Sequence, residues 1–320
     1  MSTLITGATG FIGRHLTSRL IQAGESVRVL TRDRGKLPPE WANSVQVITG
    51  NLLDLEVQKE ATQGISTVFN LAGEIKNPEL MKAVNASAVE GLLDSAVAAG
   101  VNQFVHLSSV GVVGADEPGV ITEDTACRPQ NEYEQTKLEG EQAVAKAANA
   151  GVIKAVIARP TIVFGEGNTN DSVLGWLRAV RQSRFFFVGR KGIANYVYVG
   201  DVVEAILKVS QGQAKQLEVF NIADPAPLRE FVAAMAEALQ VPVPKKSIPV
   251  PLAFSVGAAF EAANRLAHTP APLTRARVRA LSSQTLFSGE KLKERGFVLP
   301  FGYREGLART VKWYQQTGRL

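Results

Sequence analysis

The chain has 320 residues, 45% of them hydrophobic and 20% charged, with a formal net charge of +5; this is an ordinary folded composition, long enough for one large domain or two. The lone Cys127 excludes an internal disulfide, and His15, His106 and His268 show no ligand spacing, so no metal is expected and a reducing cytoplasm fits. Lysines and arginines are spread with no basic stripe among aromatics, which argues against nucleic acid, and no apolar run reaches the roughly 20 residues of a membrane span.

The first element is the apolar run Leu4-Ile5, read as a strand. Thr6-Gly7-Ala8-Thr9-Gly10-Phe11-Ile12-Gly13 follows, and then Leu16, Leu20 and Ile21 at helical spacing. A strand, a glycine turn and a helix start suit a pyrophosphate, because glycine admits positive φ and close approach while the helix end presents free N–H groups. The spacing is Gly-x-x-Gly-x-x-Gly, not the commonest dinucleotide fingerprint, and in isolation it also suits a plain connection in another α/β protein. Further strands are expected at 26–32, 45–51, 67–73, 103–109 and 153–160, with helices clearest at 79–99 and 131–149. That alternation predicts an α/β fold, a Rossmann-type doubly wound parallel sheet with ligands at the carboxyl ends of its strands. Thr31, Arg32, Asn51, Asn70, Gly73, Ser108, Ser109 and Arg159 fall at those ends.

Past Pro160 the rhythm changes. A glycine and asparagine loop at 165–171 leads to a helix at 171–181, short strands at 185–188 and 196–199, a helix at 201–210 and one more central strand at 219–223. A proline-punctuated region follows, and the chain closes on an amphipathic helix at about 304–316. Residues 1–160 plus about 196–223 are expected to hold the dinucleotide, and 161–195 with 224–320 to form a smaller C-terminal substrate-binding lobe. The apolar stretch 250–260 reads as a buried or groove-lining helix.

Tyr133 and Lys137 lie four apart on a strongly helical segment and emerge from one face. A free tyrosine keeps its proton to a pH of about 10, and a nearby ammonium favours the phenolate, so the pair can serve as general acid or base. Such a pair is equally at home on a solvated helix surface, and its company decides the reading.

Ser109 stands one loop upstream, and Arg159-Pro160 closes the sixth strand. With TGATGFIG (6–13), GNLLD (50–54), VFNLAG (68–73), Asn85, HLSSVGVVG (106–114), YEQTK (133–137), ARPTIVFG (158–165), YVYVGDVVEAI (196–206), FNIAD (220–224) and EGLARTVKWY (305–314), nearly the whole chain resembles the extended short-chain dehydrogenase/reductase superfamily. That group includes nucleotide-sugar epimerases and dehydratases and the 3β-hydroxysteroid dehydrogenases.

The resemblance implies an NAD(P)-dependent oxidoreductase or epimerase. Ser109 would hydrogen-bond the substrate oxygen, Tyr133 would exchange the carbinol proton, and Lys137 would lower the phenol pKa and bind the nicotinamide ribose. The dinucleotide would contact Gly7, Thr9, Gly10, Phe11, Ile12, Gly13, Arg14, Arg32, Asn51, Leu52, Leu71, Ala72, Gly73, Asn85, Tyr133, Lys137 and Pro160. Asn85 would order backbone or relay a proton. Thr31 stands where NAD users of the superfamily carry aspartate, and Arg32 follows with Arg14 as a second cation, so NADP is expected and NAD stays open through Asp33. Asn51 replaces an adenine-contacting aspartate.

Two substrate classes compete, with a nucleotide-sugar the expected one and a hydrophobic alcohol or ketone the alternative. The loop at 164–168 resembles the nucleotide-sugar branch, but Ala194 stands where those enzymes carry a diphosphate-holding arginine, leaving Arg190, Lys191, Arg275 and Arg279 as substitutes. The apolar 250–260 stretch and Phe185, Phe186 and Phe187 resemble the hydroxysteroid and dihydroflavonol branch. A binding-only subunit or sensor is the non-enzymatic reading, and the intact Tyr and Lys pair argues against it. A homodimer through the 79–99 and 131–149 helices is implied.

Overall fold

The computed structural model describes residues 2–114, 118–211, 216–267 and 273–320; His268 lies outside them. The first half runs β1 (Ser2–Thr6), α1 (Phe11–Gln22), β2 (Ser26–Thr31), β3 (Val45–Thr49), α2 (Leu55–Thr62), β4 (Thr67–Asn70), α3 (Pro78–Lys82), a π-helical turn (Ala83–Ser87), α4 (Ala88–Ala98), β5 (Gln103–Leu107), β6 (Gly119–Ile121), α5 (Glu132–Asn149) and β7 (Lys154–Pro160). The second half runs β8 (Ile162–Phe164), α6 (Ser172–Arg181), β9 (Phe187–Val188), β10 (Ile193–Tyr198), α7 (Val199–Gln211), β11 (Leu217–Ile222), β12 (Pro225–Pro227), α8 (Leu228–Ala238), β13 (Ser247–Ile248), α9 (Val250–Ala267), α10 (Arg275–Ser282), β14 (Thr285–Phe287), α11 (Glu290–Glu294) and α12 (Gly302–Gln316).

Seven parallel strands form the main sheet in the order β11-β7-β5-β4-β1-β2-β3. The sheet is buried on both faces, which is why its strands read as near-continuous apolar runs and not as alternation. Leu4 and Ile5, neighbours that point to opposite faces, are both fully buried, each contributing about 1.5–3 kcal/mol. On one face α1 and α7 cover it through Leu16, Leu20, Val202, Val203 and Ile206. On the other, α2, α4 and α5 contribute Ala61, Val89, Leu92, Leu93, Val144 and Ala148.

The first five strands and the expected helices lie where the patterning places them, with strand ends one to three residues shorter. The chain leaves the ladder early because the residues after Thr31, Thr49, Asn70 and Leu107 turn outward into loops. The helix read as continuous over 79–99 is three pieces joined by the π-helical turn. The expected central strand at 219–223 is β11, on the edge of the sheet.

A second apolar cluster gathers α6, α8 and α12 around the small sheet β12-β10-β8, with Phe164, Tyr196, Phe231 and Tyr314 at its centre. Asp201, at the start of α7, accepts from the backbone N–H groups of Phe301 and Gly302 at 3.0 Å each and so caps the entry to α12. A third, small cluster seats α9 on β9, β13 and α10 through Val188, Ala253, Leu273 and Val278.

Candidate active site

Gly7, at φ +69°, sits where a Cβ would lie 2.7 Å from the Ala72 nitrogen. A Cβ on Gly13 would overlap the Gly7 carbonyl, so the first turn of α1 presses directly on the loop. Gly10 precedes α1 and donates its N–H to Gly7 at 2.9 Å. No acidic residue occupies the first turn of α1, leaving its positive end without a carboxylate from that turn. Beside it lies a cavity of about 260 Å³ lined by Gly7, Thr9, Gly10, Arg32, Asn51, Leu52, Leu71, Ala72 and Gly73 among the expected residues. Thr31, Asp33, Lys36 and Glu74 complete much of its polar wall. Their common address is the carboxyl ends of β1, β2, β3 and β4.

The remaining expected cofactor residues stand outside that cavity. Phe11 and Ile12 begin α1 and pack into the second apolar cluster. Arg14 folds back, its Nε donating to the Thr9 carbonyl at 3.1 Å and its Nη2 to that of Lys36 at 3.2 Å. Pro160 ends β7 opposite Ile222. The Asp33 carboxylate accepts from the Gly35 N–H at 2.9 Å and is thereby engaged in its own turn.

Sequence reasoning gave no role to the polar chain that ties these strand ends together. The Ala72 N–H donates to the Thr6 hydroxyl (3.2 Å), which donates to Asn70 Oδ1 (2.6 Å), while Asn70 Nδ2 meets His106 Nδ1 (3.1 Å). All three side chains are buried, and burial followed by the Lys137 charge holds the His106 imidazole well below its ordinary pKa. Neutral His106 therefore accepts at Nδ1. Thr6 opens the glycine motif and Asn70 ends a strand, so position was the available signal.

Asn85 orders backbone. Its Oδ1 accepts from the Glu74 N–H (2.8 Å), and its Nδ2 donates to the Glu74 carbonyl (2.9 Å) and to the Thr136 hydroxyl (3.1 Å). Thr136 lies on α5 between Tyr133 and Lys137, so Asn85 binds the loop after Gly73 to that helix. The π-helical turn that carries it is a distortion frequent at functional sites.

Helix α5 starts with the Asn131 side chain accepting from the Glu134 N–H (3.0 Å), while the Glu134 carboxylate accepts from the Gln130 N–H (2.7 Å). Its buried stripe holds Thr136, Lys137, Gly140, Glu141, Val144 and Ala148. The same face brings Tyr133 to Ser109, whose hydroxyl acts on the phenol. Ser109 Oγ also accepts from the Gly111 N–H at 3.1 Å. Ser108, the other serine, is buried, and its N–H donates to the Ala158 carbonyl at 2.7 Å.

Lys137 is 3% exposed and its Nζ donates to the Leu107 carbonyl at 2.6 Å. Burial lowers its ammonium to about 8, opposed by Glu141. The phenol departs from expectation: burial pushes Tyr133 above its ordinary value, partly offset by the Ser109 hydroxyl, and Lys137 is not among the causes. The ammonium spends a hydrogen bond on β5. At neutral pH the phenol keeps its proton and can give it to an oxygen beside Ser109. Farther along, Glu141 is paired with Arg159 of β7 through bonds of 2.9 and 2.5 Å, both side chains buried.

A sequence profile described as "NAD dependent epimerase/dehydratase family" matches residues 3–223, the span that carries this whole arrangement. The chain belongs to the NAD dependent epimerase/dehydratase family. It is an enzyme of the oxidoreductase and epimerase kind. Among curated proteins it is 27% identical to N-acetyl-alpha-D-glucosaminyl-diphospho-ditrans,octacis-undecaprenol 4-epimerase of Escherichia coli O157:H7, covering 98% of this chain and 95% of that one. It is 28% identical to ceramide reductase of Caulobacter vibrioides (strain NA1000 / CB15N), covering 99% and 95%. Among solved structures, MoeE5 in complex with UDP-glucuronic acid and NAD superposes with a TM-score of 0.76 at 26% identity, covering 99% and 100%.

This member of the epimerase/dehydratase family has a second cavity beside α6 and α10. It measures about 550 Å³ and is walled by Trp176, Phe185, Phe186, Tyr196, Leu273 and Leu281, with exposed Arg184 and Arg277 also lining it. Trp176 packs against Phe185 and Tyr196 at ring-centroid distances of 5.7 and 5.5 Å. Of the three consecutive phenylalanines, Phe187 is plain core. Ala194, in the arginine position of the nucleotide-sugar enzymes, is 2% exposed. Arg275 is paired with Glu261 at 2.8 Å, while Arg190 and Lys191 are exposed on the β9–β10 connection.

Proposed function

We propose that this enzyme transfers a hydride between a nicotinamide dinucleotide and a secondary carbinol or ketone carried by a molecule with a large apolar body. The observation that carries the substrate class is the aromatic-walled cavity, with alanine and not arginine buried at 194. The aromatic wall favours an apolar body, while Arg184 and Arg277 on the same lining are the cations that a diphosphate would need. The two relatives named for an undecaprenol-linked sugar and for ceramide support the same reading. A nucleotide-sugar is the second reading, favoured by the MoeE5 complex.

The glycine loop fits a dinucleotide because glycine at 7 and 13 lets the loop close on Leu71, Ala72 and the first turn of α1, and the loop so formed lines the 260 Å³ cavity. Gly7, Gly10 and Gly13 would face the pyrophosphate, Ala72 and Gly73 the adenosine side, and Pro160 the carboxamide end. When bound, the nicotinamide supplies the hydride acceptor or donor. The protein's own residues handle the proton and the geometry. Ser109 Oγ orients the substrate oxygen, Tyr133 gives or takes its proton, and Lys137 holds positive charge nearby and anchors to Leu107. Arg32 and Lys36 at the cavity wall, with the Asp33 carboxylate on that wall held by the Gly35 N–H, support NADP(H) over NAD(H). Residues 1–160 with about 196–223 form the dinucleotide part, and 161–195 with 224–320 the substrate lobe, of a cytoplasmic enzyme.

A thermal-shift series tests both choices, since a ligand that prefers the native state raises the melting temperature. NADPH is expected to stabilise more than NADH at equal concentration, and Arg32→Ala to erase the difference; a larger NADH shift overturns the assignment. With cofactor saturating, ketolipids and polyprenyl-linked sugars should add a further shift. A shift from UDP-, GDP- or dTDP-sugars alone would establish the second reading instead. A homodimer through α3, α4 and α5 accompanies the proposal. Sedimentation at micromolar concentration should then give twice the 34.3 kDa chain mass, and a monomer would refute it.

A further inference from the structure

The outward arc of α9 is made of Pro251, Leu252, Ser255, Ala258, Ala259 and Phe260, all exposed. Leu252 and Phe260 are 55% and 40% exposed. Its one polar member, Ser255, returns its hydroxyl to the Pro251 carbonyl at 3.2 Å. A surface helix of a water-facing protein carries charges on that side; this one carries none before Glu261.

Charge surrounds the arc in place of lying on it. Residues 172–200 and 238–289 together hold eleven lysines and arginines against a single acid, Glu261, while the rest of the chain holds 24 against 29. The basic balance of these segments comes from their lack of acids, since the cations themselves are spread along the chain. Glu261 accepts from the Arg275 backbone and guanidinium at 2.8 Å each. The parallel pairing of β13 with β9 sets exposed Lys246 just before the ladder, its carbonyl accepting from the Phe187 N–H, and exposed Arg190 and Lys191 just past the other end. Gly189 closely approaches Val250, which sets Arg190 and Lys191 at the start of α9.

We propose that the exposed face of α9, with its basic surround, docks this enzyme on the surface of an anionic lipid bilayer without crossing it. An apolar helix face flanked by cations is what inserts shallowly at a charged lipid surface, and no described helix is long and apolar enough to span one. Phe186, Leu273 and Leu281 belong both to the 550 Å³ cavity and to the cluster that seats α9. The docking helix therefore shares a wall with the cavity assigned to the substrate's apolar body. For its purpose the inference rests on the lipidic-substrate reading, but its test does not.

Co-sedimentation of the full chain, without cofactor or substrate, is measured with vesicles of phosphatidylcholine alone and of phosphatidylcholine and phosphatidylglycerol in equal parts. Partition is expected only with the anionic vesicles and should weaken with salt. Each cation at such a surface contributes about fivefold, so R190Q/K191Q should lower partition by roughly twenty-five-fold. L252S/F260S should lower it by about tenfold or more. Both pairs are judged only with an unchanged melting temperature, and if the serine pair fails to fold the glutamine pair carries the test. No preference of the parent chain for anionic vesicles, or parent-like partition of the folded variants, overturns the proposal. So does a dimer broken by L252S/F260S in a chain that binds no vesicles, which would make the face a self-contact. Docking without turnover of any lipidic alcohol or ketone would defeat the substrate reading and leave the docking intact.

Discussion

Replacing Tyr133 with phenylalanine is expected to lower kcat by about 10²- to 10⁴-fold, the contribution of a positioned general acid or base. The substitution keeps the ring and removes only the oxygen that meets Ser109. Because the phenol sits above its ordinary pKa, proton donation to a ketone oxygen should hold across neutral pH, and the Tyr133→Phe variant should show the loss at every pH in that range. KM should change little, since the lost interaction strengthens as charge develops on the oxygen. Turnover equal to the parent enzyme would remove Tyr133 from the chemistry.

Lys137→Met should act in opposite directions on activity and stability. Buried Lys137 has its ammonium lowered from 10.5 to about 8. A cation whose folded pKa is depressed costs stability wherever it stays charged, and that cost fades as pH rises from the folded value toward the unfolded one. The shift corresponds to about 3 kcal/mol, less about 1 kcal/mol for the Leu107 carbonyl left without its donor. At pH 7 the methionine variant should therefore resist urea better by about 1–3 kcal/mol while losing most activity. As pH climbs from 8 toward 10.5 the parent chain should close that gap. A variant less stable than the parent at pH 7 would show that the Leu107 bond and the contact with Glu141 outweigh the burial cost. The two replacements together separate the group that moves the proton from the one that holds charge beside it.

Much of this was readable from residues in order along the chain. Strand, glycine loop and helix are local, so TGATGFIG announced its own geometry, and the spacing of Tyr133 and Lys137 placed both on the inner face of α5. What could not be read needed contacts between distant segments. Asn85 was open between two roles until its bonds to Glu74 and Thr136 appeared. The π-helical turn differs from an α-helix by one residue in hydrogen-bond reach, too little to show in hydrophobic periodicity. Strand β6 pairs with β14 across more than 160 residues, and the apolar cavity draws its walls from α6, the α6–β9 connection, β10 and α10. The direction of the Tyr133 shift depends on where the Lys137 Nζ points, which four-residue spacing does not specify. Arg275, one of the candidates for holding an anionic group, is engaged with Glu261.

The cover of the main sheet has a bearing on how the protein is made. One face of β5 and β7 buries Val105, Val156 and Ala158 against Val202, Val203, Ile206 and Phe220 of α7 and β11. A chain leaving the ribosome from its N-terminus completes the first six strands of that sheet well before these residues emerge. During that interval an apolar sheet surface and the open edge of β7 stand bare, the kind of surface that chaperones hold. Translation pauses near 165–195 would lengthen the exposure, whereas α12, which Asp201 waits to cap, is only the last piece to dock.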